Sequence, residues 1–283
     1  MSHQFNSLLA RITLALSGMM WIASAQAGDP EVWSRIRASL FQDRPIVEAS
    51  GDFLRLDAPN RAEDAAVVPI SIHTGIPQTA GKYVQNTWLI IDQNPSPIAA
   101  KFAFTQASGQ ADIETRVRVN EYTLIRAVAE LNDGSLHMVS KFVKASGGCS
   151  APAGKDPAEA LASLGKMKVR VESDVTPGKP TLAQLMISHP NDSGLAFDQI
   201  SRNFTPAHFV REIHVTYAGK TVMTAEVDIS ISENPNFRFY FVPNGTGELA
   251  VEAIDSQDLK FNTAVKLDSG KNIAASVKPA SGS

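Results

Sequence analysis

The chain has 283 residues, of which 43% are hydrophobic and 19% are charged, so it holds enough apolar material for two globular cores. Its net charge is −3, from 26 basic and 29 acidic residues, and it contains no run of Lys and Arg. Nucleic acid and an anionic membrane surface therefore have no electrostatic support as partners.

Residues 1–27 are typical of an export signal. Arg11 supplies the positive charge, residues 12–23 form the apolar run, and Ala25-Gln26-Ala27 has the small-x-small pattern of a cleavage site. We expect cleavage near Ala27. A retained anchor is the alternative, but the apolar run is short for a membrane span.

A short helix is predicted at the start of the mature chain. Asp29 suits the N-cap and Pro30 the first helical position. The apolar residues Trp33, Ile36 and Leu40 then recur at helical spacing.

Alternation with a period of two predicts six strands before residue 144, at 67–73, 83–92, 99–104, 111–119, 124–131 and 136–143. In the fourth of these, Ile113 and Val117 lie on the apolar face, whereas Arg116 and Arg118 lie on the polar face. Such a strand is half-buried in an antiparallel sheet. Six short strands in this span predict a β-sandwich.

A second set of strands is predicted at 167–172, 182–188, 209–217, 221–227, 237–241 and 249–254. Phe237, Phe239 and Phe241 share one face, which predicts a core contribution. The fold class is therefore all-β, with sandwiches at 28–143 and 166–265. A flexible segment at 144–165 joins them, and a disordered tail covers 266–283.

Cys149 is the one cysteine of the chain, so it cannot form an internal disulfide. It lies in a run of small residues, 145–154, and Gly147 and Gly148 are expected to make this segment mobile. We expect an exposed thiol with an ordinary pKa, since Lys144 and Lys155 are the nearest cations in the sequence. Such a thiol suits a passive carrier that partners activate, and it can also form a disulfide dimer between two chains.

Several stretches resemble the SoxYZ carrier of bacterial sulfur oxidation. Residues 40–149 are similar to its Y subunit through Asp43-Arg44-Pro45-Ile46, PIAAKFAFTQASGQADIETRVRV (97–119), AVAELNDGSLHMVSKFV (127–143) and the Gly-Gly-Cys that ends at Cys149. Residues 166–262 are similar to its Z subunit through LMISHPNDSGL (185–195), FTPAHFVREIHVTYAGKTVMTAEVD (204–228) and SENPNFRFYFV (232–242).

The resemblance implies an immunoglobulin-like sandwich for each half, packed against each other. It implies that Cys149 carries sulfur-containing groups of the thiosulfate-oxidation type in the periplasm, with no cofactor, metal or enzymatic activity of its own. The likeness is greatest to fused carriers associated with quinoprotein dehydrogenases, so the implied partners are such a dehydrogenase, c-type cytochromes or Sox-type enzymes. In the family, the segment that carries the cysteine (the arm) usually ends the Y chain as Gly-Gly-Cys-Gly-Gly. Here Ser150-Ala151-Pro152 follows the cysteine and the chain continues. A partner would therefore receive the arm as a hairpin.

Three other functions remain as alternatives. An enzyme would need a recognisable site, but the histidines at 73, 137, 189, 208 and 214 do not have a metal-binding spacing, and nucleophile and nucleotide motifs are absent from the sequence. Copper delivery would need a His and a Met that bind the metal together. His137 and Met138 are neighbours in a strand and point to opposite faces, so they cannot do so. Met186 and His189 are the other candidate pair. The third alternative is a docking module for a quinoprotein dehydrogenase, in which Cys149 is incidental.

Overall fold

A computed structural model describes residues 29–152, 154, 157–172, 175–199, 201–268 and 271–272. The predicted export signal lies outside these residues, as does most of the predicted tail. No helix among the described residues is long and apolar enough to cross a membrane.

The described chain is mostly β. The helices are α1 (Pro30–Phe41) and α2 (Pro157–Ser163). The strands are β1 (Ile46–Glu48), β2 (Leu54–Asp57), β3 (Val68–Thr74), β4 (Val84–Ile91), β5 (Ile98–Phe104), β6 (Ile113–Val117), β7 (Thr123–Leu131), β8 (Leu136–Val143), β9 (Met167–Val171), β10 (Thr181–Ile187), β11 (Phe197–Asp198), β12 (Asn203–Phe204), β13 (Val210–Tyr217), β14 (Lys220–Val227), β15 (Asn236–Phe241), β16 (Gly247–Asp255), β17 (Lys260–Asp268) and β18 (Lys271–Asn272).

Two large sheets form the sandwich, and both run through the two halves of the chain. The larger has the order β1-β8-β7-β4-β5-β14-β13-β16-β17-β18, and the smaller β2-β3-β6-β15-β10-β9. The halves meet where β5 pairs with β14 and where β6 pairs with β15, both antiparallel. The predicted all-β sandwich class is confirmed, and the two sandwiches are joined edge to edge through shared sheets.

One apolar core fills the space between the sheets across this seam. Phe102 of the first half and Phe237 of the second are fully buried, and their ring centroids lie 6.2 Å apart. Phe239 and Phe241 are buried in the same cluster, as the alternation predicts. Pairing between the halves is therefore a property of the core and not of the connecting segment alone.

Helix α1 is confirmed and covers the outer face of the larger sheet. The Asp29 carboxylate accepts a hydrogen bond from the backbone N–H of Glu31 at 2.9 Å, which caps the helix. Phe41 packs edge-on against Trp88, with ring centroids 5.0 Å apart. A second, smaller core forms there beside Ile90 and Val128.

Strand β17 is the main element that the sequence did not indicate. It pairs with β16 from Ile254–Lys260 to Gly247–Leu267, and Val265 and Leu267 are buried. The prediction that the disordered tail begins at residue 266 is therefore wrong for 266–268. The short strands β1 and β2 were also not predicted.

Candidate functional site

Cys149 lies in a single 3-10 turn, Gly148–Ser150, and its side chain is fully buried. The expectation of an exposed thiol is therefore wrong for this structure. The reason is that the turn docks on the body of the protein at the seam between the halves.

Residues from both halves hold the turn. The backbone N–H of Gly147 donates to the carbonyl of Asn120 at 2.8 Å, and that of Gly148 donates to Val119 at 3.0 Å. From the second half, the Ser193 hydroxyl donates to the carbonyl of Cys149. The site therefore requires the two halves to be assembled.

The two glycines have different structural roles. A Cβ added to Gly148 would overlap the carbonyl oxygen of Ala65 and lie 2.7 Å from that of Val119, so the turn can approach the body this closely only with glycine. Gly147 has open space around it but a φ of +81°, which favours glycine. Their role in mobility remains a prediction.

Arg118 is a charged residue of the site, and its environment differs from the one that strand alternation predicts. It follows β6 and was expected on the solvent face with Arg116, yet it is 3% exposed while Arg116 is exposed. A segment of the second half packs against it. The backbone N–H of Arg118 donates to the backbone carbonyl of Ser230 in that segment at 2.8 Å. Alternation within one strand contains no information about such a distant segment.

The guanidinium of Arg118 reaches the turn that carries the thiol. Its two terminal nitrogens donate to the carbonyls of Gly148 and Asn191, each at 3.3 Å. Its Nε has no hydrogen-bond partner within the described part of the chain. Arg118 therefore links the thiol turn to a loop of the second half.

Burial dominates the electrostatics of the site. It raises the pKa of the Cys149 thiol to about 11, although the positive charge of Arg118 opposes the shift. Burial likewise lowers the pKa of Arg118, while Cys149, Glu233 and Asp192 act to raise it. The thiol is therefore protonated at neutral pH while it is docked, and the expectation of an ordinary pKa is wrong for this state.

A cavity of about 800 Å³ opens beside the turn. Its lining includes Ser150, Pro152 and Asp192, and also Leu164, which follows α2. Phe197 lies at the cavity and is half exposed. The cavity thus provides mainly apolar space directly next to the residue that follows Cys149.

A second cluster, which the sequence did not bring together, consists of His189, His208 and Asp255. The Oδ2 atom of Asp255 lies 2.7 Å from Nε2 of His208 and 3.5 Å from Nε2 of His189. Burial, and then the neighbouring His208, lower the pKa of His189 to about 4. Burial alone would raise the pKa of Asp255, but hydrogen bonds from His208 and from backbone N–H groups lower it.

Each residue of this cluster offers one ligand atom for a metal ion, and these three atoms lie within 4.8 Å of one another. Nδ1 of His189 accepts a hydrogen bond from the N–H of Asn191 at 3.0 Å, so the ring proton of the neutral imidazole lies on Nε2. Binding of a metal through Nε2 would therefore require the loss of this proton or a shift of it to Nδ1, which breaks the bond from Asn191. Asp255 is hydrogen-bonded to His208, whereas Nε2 of His189 is buried and has no hydrogen-bond partner within the described residues.

The other three histidines in the described part of the chain each contact a different partner. His73 contacts Asp112 at 2.8 Å, His137 packs on Phe53 with ring centroids 4.5 Å apart, and His214 lies 3.5 Å from Glu212. The sulfur of Met138 accepts a weak hydrogen bond from a terminal nitrogen of Arg126 at 3.9 Å.

Two family models match the chain. The model described as sulfur oxidation protein SoxY matches residues 37–149, and the model described as sulphur oxidation protein SoxZ matches residues 169–266. Together they cover most of the chain, in the same order as its two halves.

Among solved structures, the chain is similar to the sulfur carrier protein SoxY from Chlorobium limicola f thiosulfatophilum, at 24% identity and a TM-score of 0.35, over 41% of this chain and 92% of that chain. It is also similar to the superoxide reductase (neelaredoxin) from Ignicoccus hospitalis, at 15% identity and a TM-score of 0.30, over 32% of this chain and 79% of that chain. The search of curated proteins found no match.

Proposed function

The chain belongs to the SoxYZ family, with a SoxY domain followed by a SoxZ domain, and on this basis we propose that it carries sulfur-containing groups covalently on Cys149. One observation supports the assignment of the residue most directly. The SoxY match ends at residue 149, and the turn that holds this cysteine lies where the two domains meet.

The proposed chemistry is a bond between the Cys149 sulfur and the sulfur of a substrate such as thiosulfate. The thiolate and thiosulfate together lose two electrons and form Cys149–S–S–SO₃⁻, and a partner c-type cytochrome or quinoprotein dehydrogenase accepts those electrons. The chain itself is then the scaffold and not the catalyst. We place this exchange in the periplasm, after removal of residues 1–27.

Loading requires the turn to leave its docked position. The docked thiol is fully buried and has a raised pKa, so a partner can neither reach nor readily deprotonate it. We propose that the segment swings out around Gly147, whose left-handed backbone and open surroundings suit a pivot. The partner then supplies the activation.

The test is the intact mass of the protein isolated from its native periplasm, before and after reduction, with Cys149→Ser as the matched control. We expect a reducible adduct that corresponds to sulfur atoms or a sulfonate in the natural chain and its absence in the variant. A bare thiol or a simple dimer under all growth conditions would contradict the carrier function.

The second candidate is a docking module, and one surface feature favours it. Phe197 and Phe204 are 50% and 62% exposed, with ring centroids 5.4 Å apart, and Leu161 is 68% exposed. Exposed apolar groups of this kind suit a protein partner. A docking module would keep its cellular activity after Cys149→Ser, whereas a carrier would lose it.

A further inference from the structure

Arg118 is a buried cation whose pairing is incomplete. Its side chain is 3% exposed, and its two hydrogen bonds are long, at 3.3 Å, and end on neutral carbonyl oxygens. In the described part of the chain, Nε has no acceptor and no carboxylate oxygen lies within 4 Å of the guanidinium. Buried charges are usually paired, because an unpaired charge loses its hydration without compensation.

Three carboxylates attract Arg118 from a distance, those of Glu233, Asp192 and Asp64. Asp192 lines the cavity beside Ser150. Glu233 accepts hydrogen bonds from the N–H of Gly154 at 2.7 Å and from the side chain of Asn234 at 3.0 Å. Asp64 is exposed and accepts from the N–H of Ala66 at 2.8 Å. They moderate the field around Arg118 without forming an ion pair with it.

The reactive group next to this cation is the thiol of Cys149. Arg118 donates to the carbonyl of Gly148, the residue directly before the cysteine, and the large cavity begins at Ser150, the residue directly after it. The guanidinium therefore contacts the turn just before the residue that carries the sulfur, and the residue just after it borders the cavity.

We propose that Arg118 binds the terminal anion of the group that Cys149 carries, such as the sulfonate of Cys149–S–S–SO₃⁻ or the end of a persulfide. This inference rests on the proposed carrier function, and it assigns Arg118 as the residue that distinguishes an anionic group on the sulfur from a neutral one. A guanidinium forms strong, charge-assisted hydrogen bonds with such oxyanions. Burial protects any cargo in the docked state, and an anionic cargo is held there by Arg118 and protected more strongly than a neutral one.

The test uses the purified chain with two chemical adducts on Cys149. In the first, the thiolate attacks a central sulfur of tetrathionate, which forms Cys149–S–S–SO₃⁻ and releases thiosulfate. In the second, it attacks the sulfenyl sulfur of methyl methanethiosulfonate, which forms Cys149–S–S–CH₃ and releases methanesulfinate. The rate of cleavage by dithiothreitol is measured for each adduct in the folded chain and in the chain unfolded by guanidinium, and the ratio of the two rates is the protection.

We expect the folded chain to protect the sulfonate adduct about 10- to 100-fold more than the methyl adduct, since a hydrogen bond to a charged group contributes that much. Arg118→Gln should remove the difference, and Arg118→Lys should keep part of it. Arg116→Gln is the matched control, because Arg116 is exposed and lies two residues away on the same stretch. It should leave the difference unchanged.

Equal protection of the two adducts in the natural chain would overturn the role of Arg118. The carrier function is judged separately by the periplasmic mass, so the two failures are distinguishable. Equal protection of the methyl adduct in Arg118→Gln and in the natural chain shows that the variant is folded. If that variant does not fold, the two adducts in the natural chain and in Arg118→Lys decide the result.

Discussion

Replacing Gly148 by alanine should release the Cys149 turn from the body. The added methyl group would overlap the carbonyl oxygen of Ala65 and lie 2.7 Å from that of Val119, and both are backbone atoms that cannot rotate away. The turn would then have to leave its site, which exposes the thiol to water.

The size of the effect follows from the pKa of the thiol. Burial raises this pKa from 9.0 to about 11, so at neutral pH the loss of burial means roughly 100-fold more thiolate, and alkylation requires the thiolate. The rate of alkylation should therefore rise by about two orders of magnitude.

The assay is the rate of modification by iodoacetamide between pH 6 and 11, followed by intact mass. We expect the rate in Gly148→Ala to level off near pH 9.0, and the rate in the natural chain to keep rising to higher pH. Gly81→Ala is the control, since a Cβ there meets no atom within 4 Å. If Gly148→Ala reacts at the same rate as the natural chain, then close packing at this glycine does not keep the thiol buried.

Two further predictions concern stability. Asp92 and Arg126 form a buried ion pair with contacts of 2.7 and 2.9 Å, so Asp92→Asn should lower the free energy of unfolding in urea by about 3–5 kcal/mol. The control is Asp258, which is exposed and lies 2.8 Å from Arg211. Asp258→Asn should lower the free energy of unfolding by less than about 1 kcal/mol. Equal losses in the two variants would contradict the reasoning. The second prediction is a loss of stability between pH 6.5 and about 4, because the folded pKa of His189 is about 4 and the unfolded chain, with a pKa near 6.5, takes up the proton first. Summed over that window the loss is about 3 kcal/mol. His189→Gln should reduce this slope in urea unfolding at stepped pH and the exposed His214→Gln should not; an unchanged slope in His189→Gln would show that His189 is not its source.

Local patterns predicted the local structure of this chain well. The cap at Asp29 and the helical spacing identified α1, and period-two alternation identified most of the long strands, including the buried stripe at Phe237. These elements depend on their own residues. Strand β17 was missed because its pattern is weak, with only Val265 and Leu267 fully buried, and because it depends on pairing along β16.

The environment of the site could not be predicted from local patterns. Cys149 and Arg118 were both expected to face solvent, and both are buried because segments of the second half cover them. Ser193, which contacts the cysteine carbonyl, is 44 residues away in sequence. Glycines beside a cysteine indicate flexibility when taken alone, whereas Gly148 is required here for close packing.

The covalent link between the two halves also affects how the protein behaves on dilution. If the two halves were separate chains, the docking site for Cys149 would exist only in the associated fraction, because Arg118 lies in one half and Asn191 and Ser193 lie in the other. That fraction falls as the concentration falls. Here the segment between β8 and β9 joins the halves covalently and gives each an effective local concentration in about the millimolar range. The docking site for Cys149 should therefore remain assembled even when a cell contains few copies of the protein.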